Sequence, residues 1–289
     1  MVKPGFLDND RVIKWLDGIE PIWTSLDFRS YCRLRHRPGE DDLALRLSHD
    51  LTVLEAARSP FVAAMLRLLR EASEGRAKLT ASGYLSRALV TPLAEIVDGP
   101  AFDLALIRSL TKVLDEIDVW PAELIRCVAI ETRLVRKHGK QLVLTVKGRK
   151  VLATDGAGDT MARLFEMVFW RINLGHWDGY PVPPWPQSDI GIIMWSLSHA
   201  AVTWQAPSRL ARLSTVPVIG VLEAETDFAG AAIELRILRM LALFGLLDAE
   251  PEPMPVNRLL PARRYRKTDL FDRLVSFDVT LEPIDGTRH

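Results

Sequence analysis

The chain of 289 residues is long enough for one large domain or two ordinary domains. Its hydrophobic share of 48% and charged share of 26% are those of a folded globular protein and exclude a disordered one. The 37 Lys and Arg residues balance 37 Asp and Glu residues. A net charge of zero excludes a protein held to nucleic acid or anionic lipid by bulk charge, although it leaves local basic patches open.

The cysteines and the apolar runs of the sequence indicate the cellular compartment of the protein. Cys32 and Cys127 are far apart in the sequence, so we expect no disulfide framework and a reducing compartment. The first residues carry no apolar core of signal-peptide length. The longest apolar runs, such as residues 240–247, are far shorter than the roughly 20 residues that span a bilayer. We therefore predict a cytoplasmic protein with no membrane partner.

Helical periodicity dominates residues 1–100 and predicts an N-terminal helical segment. Ser59 is a typical N-cap residue, Pro60 fits the first helical position, and an apolar stripe begins at Phe61. The leucine-rich stretch 42–47 predicts a further helix before it.

Residues 101–155 combine helices with a hairpin signal. The apolar residues of 102–117 fall on one helical face, and Pro121 opens a second helix. Two strand-like runs, 134–137 and 141–145, flank a His-Gly-Lys turn. Two helices followed by a hairpin that covers their open apolar side are the ingredients of a winged helix. We therefore predict a winged-helix-like unit here.

The remaining chain divides into two predicted parts. Residues 156–230 contain five of the eight tryptophans and a proline-rich connector at 179–186, which predict a Trp/Pro-rich helical region. Residues 231–289 begin with a helix that is apolar nearly all round, and a strand-entry pattern and a basic segment follow. This order predicts a second winged-helix-like unit. The predicted fold class is mainly α, with winged-helix-like units of helices plus short β-hairpins around a helical Trp/Pro-rich middle.

A short motif recurs along the chain. Leu-Thr-x-x-Gly occurs at 79–83 and at 144–148, and a looser copy lies in 265–274, where Phe271 replaces the glycine. A threonine at the end of a strand can cap the next helix, which gives the recurrence a mechanical reason. We interpret the second and third copies as parts of the two winged-helix-like units and the first as part of the helical lead-in.

These residues also resemble a segment of uncharacterised bacterial proteins. The likeness lies in Leu79-Thr80-x-x-Gly83 with Ser86-Arg87-Ala88-Leu89-Val90, in Pro121-x-x-Leu124, in Leu134-Val135-Arg136, in Leu144-Thr145-x-x-Gly148-Arg149-x-x-Leu152, and in 264–272. Many of those proteins carry a plasmid open-reading-frame-three-like domain at their other end, and this chain shows no such domain. The resemblance covers 78–153 and 235–279. It implies a helical, winged-helix-like fold and no particular chemistry.

The strongest candidate site is the basic wing, defined as residues 133–150. Its Lys and Arg side chains can contact phosphates while the preceding helix enters the major groove. That helix is less suited to DNA, because its outward face carries Glu123 and Ile130 and it has no Asn or Gln. The alternative is a solvated hairpin charged for solubility and edge protection. The predicted nucleic-acid-binding residues are Arg126, Arg133, Arg136, Lys137, Lys140, Lys147, Arg149 and Lys150.

Two further surfaces have a functional and a structural interpretation. A second basic cluster at 258–273 is interrupted by Asp269 and Asp272, so ion pairing within the chain is at least as strong an interpretation as a ligand role. Aromatic residues beside Gly and Pro form a candidate partner surface, with burial in the core as the alternative. The partner-surface residues are Trp177, Tyr180 and Trp185.

Motifs for catalysis, metals and cofactors are missing. Cys32 and His36 lie one helical turn apart, with no second pair nearby to complete a zinc site. We therefore predict no metal, no cofactor and a non-enzymatic interaction protein, with an enzyme as a distant possibility. The preferred hypothesis is a tandem winged-helix-like scaffold that binds protein partners or forms a homo-oligomer. The alternative is a DNA-binding or regulatory protein that contacts duplex DNA through the basic wing.

Overall fold

The structure is a computed structural model that describes residues 9–153, 157–177, 184–224, 227–251 and 263–282. It is mainly helical, which confirms the predicted class. Within these ranges the strands form three two-stranded antiparallel sheets. None of the helices in the same ranges is both long and apolar enough to cross a membrane.

The N-terminal part is tied to a strand from late in the sequence. Its elements are α1 (Asn9–Leu16), a 3-10 turn (Ile22–Ser25), α2 (Phe28–Leu34), β1 (Leu45–Leu47) and α3 (Val53–Ala57). The helix predicted at 42–47 is wrong, because β1 pairs with β6 (Val275–Phe277). Three leucines at alternate positions fit a strand as well as a helix, and the distant partner decides between them.

The next part carries the first hairpin. Its elements are α4 (Pro60–Ser73), α5 (Arg87–Val97), α6 (Leu104–Leu110), α7 (Trp120–Glu131), β2 (Val135–His138), β3 (Gln141–Leu144) and α8 (Val146–Ala153). The predicted start of α4 is confirmed, since the Ser59 side chain accepts a hydrogen bond from Val62 N and Pro60 occupies the first turn. The predicted hairpin is confirmed as well.

Helices from before residue 100 pack onto this hairpin. α4 contacts α5, α7, α8 and β3. The chain after α4 also pairs with the hairpin backbone: Leu142 N donates to Ala77 O at 2.8 Å and Leu79 N donates to Lys140 O at 2.9 Å. α4 and α5 lie within the predicted N-terminal segment, and they therefore share a core with α7 and the hairpin.

The helix predicted over 102–117 is shorter than expected. α6 ends at Leu110, because Thr111 has an extended backbone with φ −135° and ψ 137°. From Leu110 onward the apolar side chains do not share one buried face: Leu110 and Ile117 are each 77% exposed and Val113 is 47% exposed, whereas Leu114 is buried. The apolar spacing of residues 102–117 thus overstates the length of the helix.

The second half of the chain contains a longer series of helices and a second hairpin. Its elements are α9 (Ala157–Glu166), a π-helical turn (Met167–Arg171), 3-10 turns (Leu174–Trp177 and Gln187–Asp189), α10 (Ile190–Ala200), α11 (Pro207–Ser214), α12 (Ile219–Leu222), α13 (Phe228–Ile233), a π-helical turn (Glu234–Leu238), α14 (Arg239–Leu243), β4 (Leu247–Pro251), β5 (Arg263–Lys267) and α15 (Asp269–Leu274). The stretch 228–243 is helical throughout, and even its Arg236 is only 1% exposed. It is the buried helix that the sequence predicted.

The two hairpins are built into the fold in the same way. Thr145 N donates to Leu134 O at 3.0 Å beside the first hairpin, and Thr268 N donates to Leu246 O at 3.0 Å beside the second. Each hairpin also pairs with a short segment that follows an earlier helix, and in the second case that segment is Gln205. The repeated threonine therefore makes the same backbone contact after β3 and after β5. The predicted cap on the next helix is present only at Thr145, whose side chain accepts from Gly148 N at 3.1 Å, and Thr268 makes no side-chain cap.

One hydrophobic core runs through the described residues. Phe244 stacks on Phe61 of α4 at 4.6 Å between ring centroids and meets Phe165 of α9 edge-on at 5.5 Å. The N-terminal part is held to the last described residues by ion pairs, such as Arg33 with Asp278 at 2.9 Å. The helical lead-in and the second half of the chain therefore meet in one body.

Candidate nucleic-acid interface

The first hairpin presents its apolar residues inward and its charged tip outward. Val135 pairs with Leu144, and both side chains are buried together with Leu142, as predicted. The turn consists of Gly139 and Lys140, and Gly139 takes φ 57°, a conformation that glycine adopts without steric cost. The residues from Arg136 to Lys140 are exposed, although the backbone of the turn is held by Leu79 N, which donates to Lys140 O.

The basic wing carries uncompensated positive charge. Seven of its predicted residues are exposed: Arg133, Arg136, Lys137, Lys140, Lys147, Arg149 and Lys150. For all of these except Lys150, no carboxylate oxygen in the described ranges lies within 4.0 Å of the cationic group. Lys147 Nζ donates to Thr132 O at 3.0 Å and Arg149 donates to Leu144 O at 3.4 Å, so these two are anchored by carbonyls and keep their charge unpaired.

Arg126 does not belong to this surface. Its guanidinium is paired with the buried carboxylate of Glu116 at 2.6 Å, and its side chain is only 10% exposed. Burial by itself would lower the pKa of Arg126, but the hydrogen bond and negative charge of Glu116 outweigh it and raise the pKa. The prediction that Arg126 faces DNA is therefore wrong, because α7 turns this residue into the core.

Most of the positive charge on the second hairpin is paired within the chain. Three of the four cations of β5 have acidic partners: Arg266 pairs with Asp248 at 3.3 Å, Lys267 pairs with Asp272 at 2.8 Å, and Arg264 pairs with Glu250. The fourth, Arg263, donates to Pro100 O instead. Arg273 of α15 pairs with Glu55 at 2.8 Å. Arg258, the first cation of the predicted cluster at 258–273, lies outside the described residues.

A shallow cleft of about 300 Å³ joins the basic wing to the middle of the chain. Arg133 and Lys147 line one side, and Arg171 of the π-helical turn lies on the other. Two carboxylates, Glu131 and Glu166, also line the cleft, so its charge is mixed. Sequence reasoning missed Arg171, because it lies outside the predicted unit and no local spacing links it to the wing.

One residue of the predicted partner surface, Trp185, is buried. Trp185 is 2% exposed, its Nε1 donates to Val216 O at 2.8 Å, and its ring stacks on Phe228 at 6.2 Å between centroids. The prediction that Trp185 is exposed is therefore wrong, since the ring and its N–H group both find partners in the core. The side chain of Trp177 and the whole of Tyr180 lie outside the described residues.

Chemically reactive groupings are scarce near the wing. The described ranges bring together no group of three or more His, Cys, Asp or Glu side chains that could hold a metal ion. Cys127 of α7 is half-buried, and burial raises the pKa of its thiol. A raised pKa keeps the thiol protonated and unreactive at neutral pH.

Known proteins match the part of the chain that carries the basic wing. Residues 57–157 match the Y4jL N-terminal domain family. The chain is 35% identical over 114 residues to the uncharacterized protein y4jL of Sinorhizobium fredii (strain NBRC 101917 / NGR234), which is 39% of this chain and 51% of that protein. The chain therefore spans about half the length of this relative, and no solved structure matches it. From α4 to α8, the protein is thus similar to the Y4jL N-terminal domain.

Proposed function

We propose that the protein is a non-enzymatic interaction protein whose basic wing contacts the phosphates of duplex DNA. The observation that carries this proposal is the contrast between the two hairpins. Three of the four cations of β5 have acidic partners in the chain, whereas six exposed cations of the basic wing have none within the described residues. Six unpaired cations on one hairpin and the residues beside it favour an anionic partner over a charge pattern that serves only solubility.

We further propose that both hairpins belong to winged-helix-like units. The order of elements supports this, because each hairpin follows a helix, a short segment that pairs with the hairpin, and further helices. The first series is α4, residues 77–79, α5, α7 and the first hairpin. The second series is α10, Gln205, α11, the helical stretch 228–243 and the second hairpin. The predicted association with a plasmid open-reading-frame-three-like domain rests on the sequence resemblance alone. The cytoplasm remains our expected compartment, and the two cysteines in the structure are free.

Salt-dependent DNA binding tests the proposal. The full chain is titrated into a labelled duplex, and fluorescence anisotropy is recorded at several salt concentrations. Because each phosphate contact releases counterions, the affinity is expected to fall by about 10²-fold or more between 50 and 200 mM salt. Replacing Lys137→Glu together with Lys140→Glu is expected to weaken binding at least about tenfold, since both side chains are exposed on the hairpin.

A matched variant controls for net charge. Arg70→Glu with Arg209→Glu makes the same change in total charge at two exposed arginines on α4 and α11 that have no acidic partner among the described residues. This variant is expected to bind DNA within about threefold of the unchanged protein. Equal losses in the two variants, or no binding at low salt by a folded protein, would contradict the proposal.

A second candidate function is a scaffold that associates with a second copy of itself. One observation favours it: Leu110, Val113 and Ile117 expose large apolar side chains within eight residues of one another. Exposed apolar clusters of this kind mark protein interfaces. Residues 110–117 are therefore a second candidate surface, while the role of Trp177 and Tyr180 stays a prediction.

Light scattering at micromolar concentration tests this scaffold. We expect a dimer that becomes a monomer when Leu110→Ser and Ile117→Ser are introduced together. Leu54→Ser is the matched control, because Leu54 is 82% exposed on α3 and lies outside this cluster. A strict monomer at every concentration would rule out self-association through this surface.

A further inference from the structure

The helix before the first hairpin is covered on most of its surface. In winged-helix proteins that read a sequence, this helix enters the major groove and its side chains contact base edges. Here α7 packs against α4 and α5 and also contacts the π-helical turn at 167–171. Of its twelve residues, only Glu131 is exposed, whereas Trp120, Glu123, Cys127 and Ile130 are half-buried.

The remaining face of α7 is unfavourable for DNA in shape and in charge. A cleft of about 480 Å³ separates it from residues 167–176, which stand opposite Glu123, Cys127 and Glu131. A duplex would have to displace that segment to bring base edges to α7. The exposed carboxylate of Glu131 would also repel the phosphates that flank the groove, whereas the carboxylate of Glu123 is paired with Arg126 at 3.7 Å.

We infer that the protein binds duplex DNA without reading its sequence, through phosphate contacts of the basic wing alone. This inference rests on the proposed function and adds the mode of recognition. Phosphate contacts fix the position of a protein on DNA and carry no direct sequence information. With Arg126 buried against Glu116, α7 offers no basic or amide side chain on an exposed face that could select a base.

The test compares many DNA sequences under one salt condition. The full chain is titrated into labelled duplexes of unrelated sequence, and rounds of selection from a randomised duplex library are run beside the titration. The dissociation constants are expected to agree within about threefold, with the same salt dependence, and selection is expected to enrich no motif. A selected duplex that binds tenfold tighter, or any enriched motif, would overturn the inference while leaving the proposed function intact.

A variant of α7 provides a second readout. Glu123→Gln removes one of the carboxylates that a groove-bound helix would place next to DNA. If α7 lies outside the groove, this change leaves the affinity for DNA almost unaltered. The change is expected to alter the affinity for every duplex by less than about twofold, against the tenfold loss in the hairpin variant. A new preference between duplexes in the Glu123→Gln protein would overturn the inference. Absence of binding to every duplex at low salt would overturn the proposed function and the inference together.

Discussion

At the scale of single residues, one sequence motif takes two conformations. In the first copy of Leu-Thr-x-x-Gly, Gly83 lies in a turn with φ 84° and its N donates to Thr80 O at 3.0 Å. In the second copy, Gly148 lies inside α8 and donates to the side chain of Thr145 at 3.1 Å. The two glycines thus serve different needs, since one supplies a positive φ and the other a close approach of two backbones.

We predict that Gly148→Ala destabilises the protein. A Cβ atom at this position would lie 2.3 Å from Leu134 O, which belongs to the backbone and cannot rotate away. Overpacking of this kind costs about 1–3 kcal/mol of unfolding free energy. Urea denaturation followed by circular dichroism measures the loss, with Val146→Ala on the exposed face of α8 as control. An unchanged urea midpoint for Gly148→Ala would show that α8 can move away from Leu134.

The buried pair of Glu116 and Arg126 leads to a second residue-scale prediction. Glu116 accepts from the guanidinium of Arg126 and from Leu85 N, so its removal leaves two buried donors without their acceptor. We expect Glu116→Ala to lower the unfolding free energy by about 3–5 kcal/mol. In a double-mutant cycle, adding Arg126→Met is expected to cost less than it does in the unchanged protein. Strict additivity of the two losses would contradict a direct coupling.

At the scale of elements, local patterns identified most helices and both hairpins. Ser59 and Pro60 predicted the start of α4, and a His-Gly-Lys turn predicted the first hairpin, because capping and turn formation depend on neighbouring residues. The errors concern elements whose partners are distant in sequence. β1 is stabilised by β6, more than 200 residues away, and nothing near residue 45 signals this pairing.

Ion pairs between elements predict a pH-dependent stability. The hydrogen bond from Arg273, helped by Thr52, lowers the pKa of Glu55 from its ordinary 4.5 to about 2. The hydrogen bond from Arg58 likewise lowers the pKa of Asp269 from 3.8 to about 2. A carboxyl group with a lowered pKa stabilises the folded state above its unfolded pKa, and this contribution is lost as the pH falls toward about 2.

The Arg273→Ala variant tests this linkage. It is expected to be less stable than the unchanged protein at about pH 6, and the difference is expected to shrink as the pH falls through the window from about 4.5 to about 2. Urea midpoints across this range measure it. Arg209→Ala, at an exposed arginine without an acidic partner among the described residues, is expected to show no such trend. A difference that stays constant with pH would contradict the role of Glu55.

At the scale of the whole molecule, one core connects the parts that the sequence separated. Phe61 of α4, Phe165 of α9 and Phe244 after α14 meet in one aromatic cluster, although they belong to three predicted regions. We therefore expect a single cooperative unfolding transition. Far-ultraviolet circular dichroism and tryptophan fluorescence should report the same midpoint. Two separated transitions would show that the halves unfold independently.

The distribution of charge over the surface is also decided by the whole molecule. Composition gives 37 positive and 37 negative side chains, which suggests a protein without strong electrostatic preference. The fold pairs acids with three of the four cations of β5 and leaves six cations of the basic wing unpaired within the described residues. A neutral chain can thus present a basic surface, because ion pairing depends on distance in space.

The sequence by itself determined the helical class, the two hairpins and the basic character of the first, since turns, caps and hydrophobic periodicity act over a few residues. Only the tertiary structure decided that β1 is a strand, that Arg126 and Trp185 are buried, and that Arg171 faces the wing across a cleft. The physical reason is that burial and ion pairing are set by contacts between residues far apart in the chain. Local sequence patterns therefore predicted the position of the basic wing. Contacts between distant residues determine which of the predicted side chains are exposed to solvent.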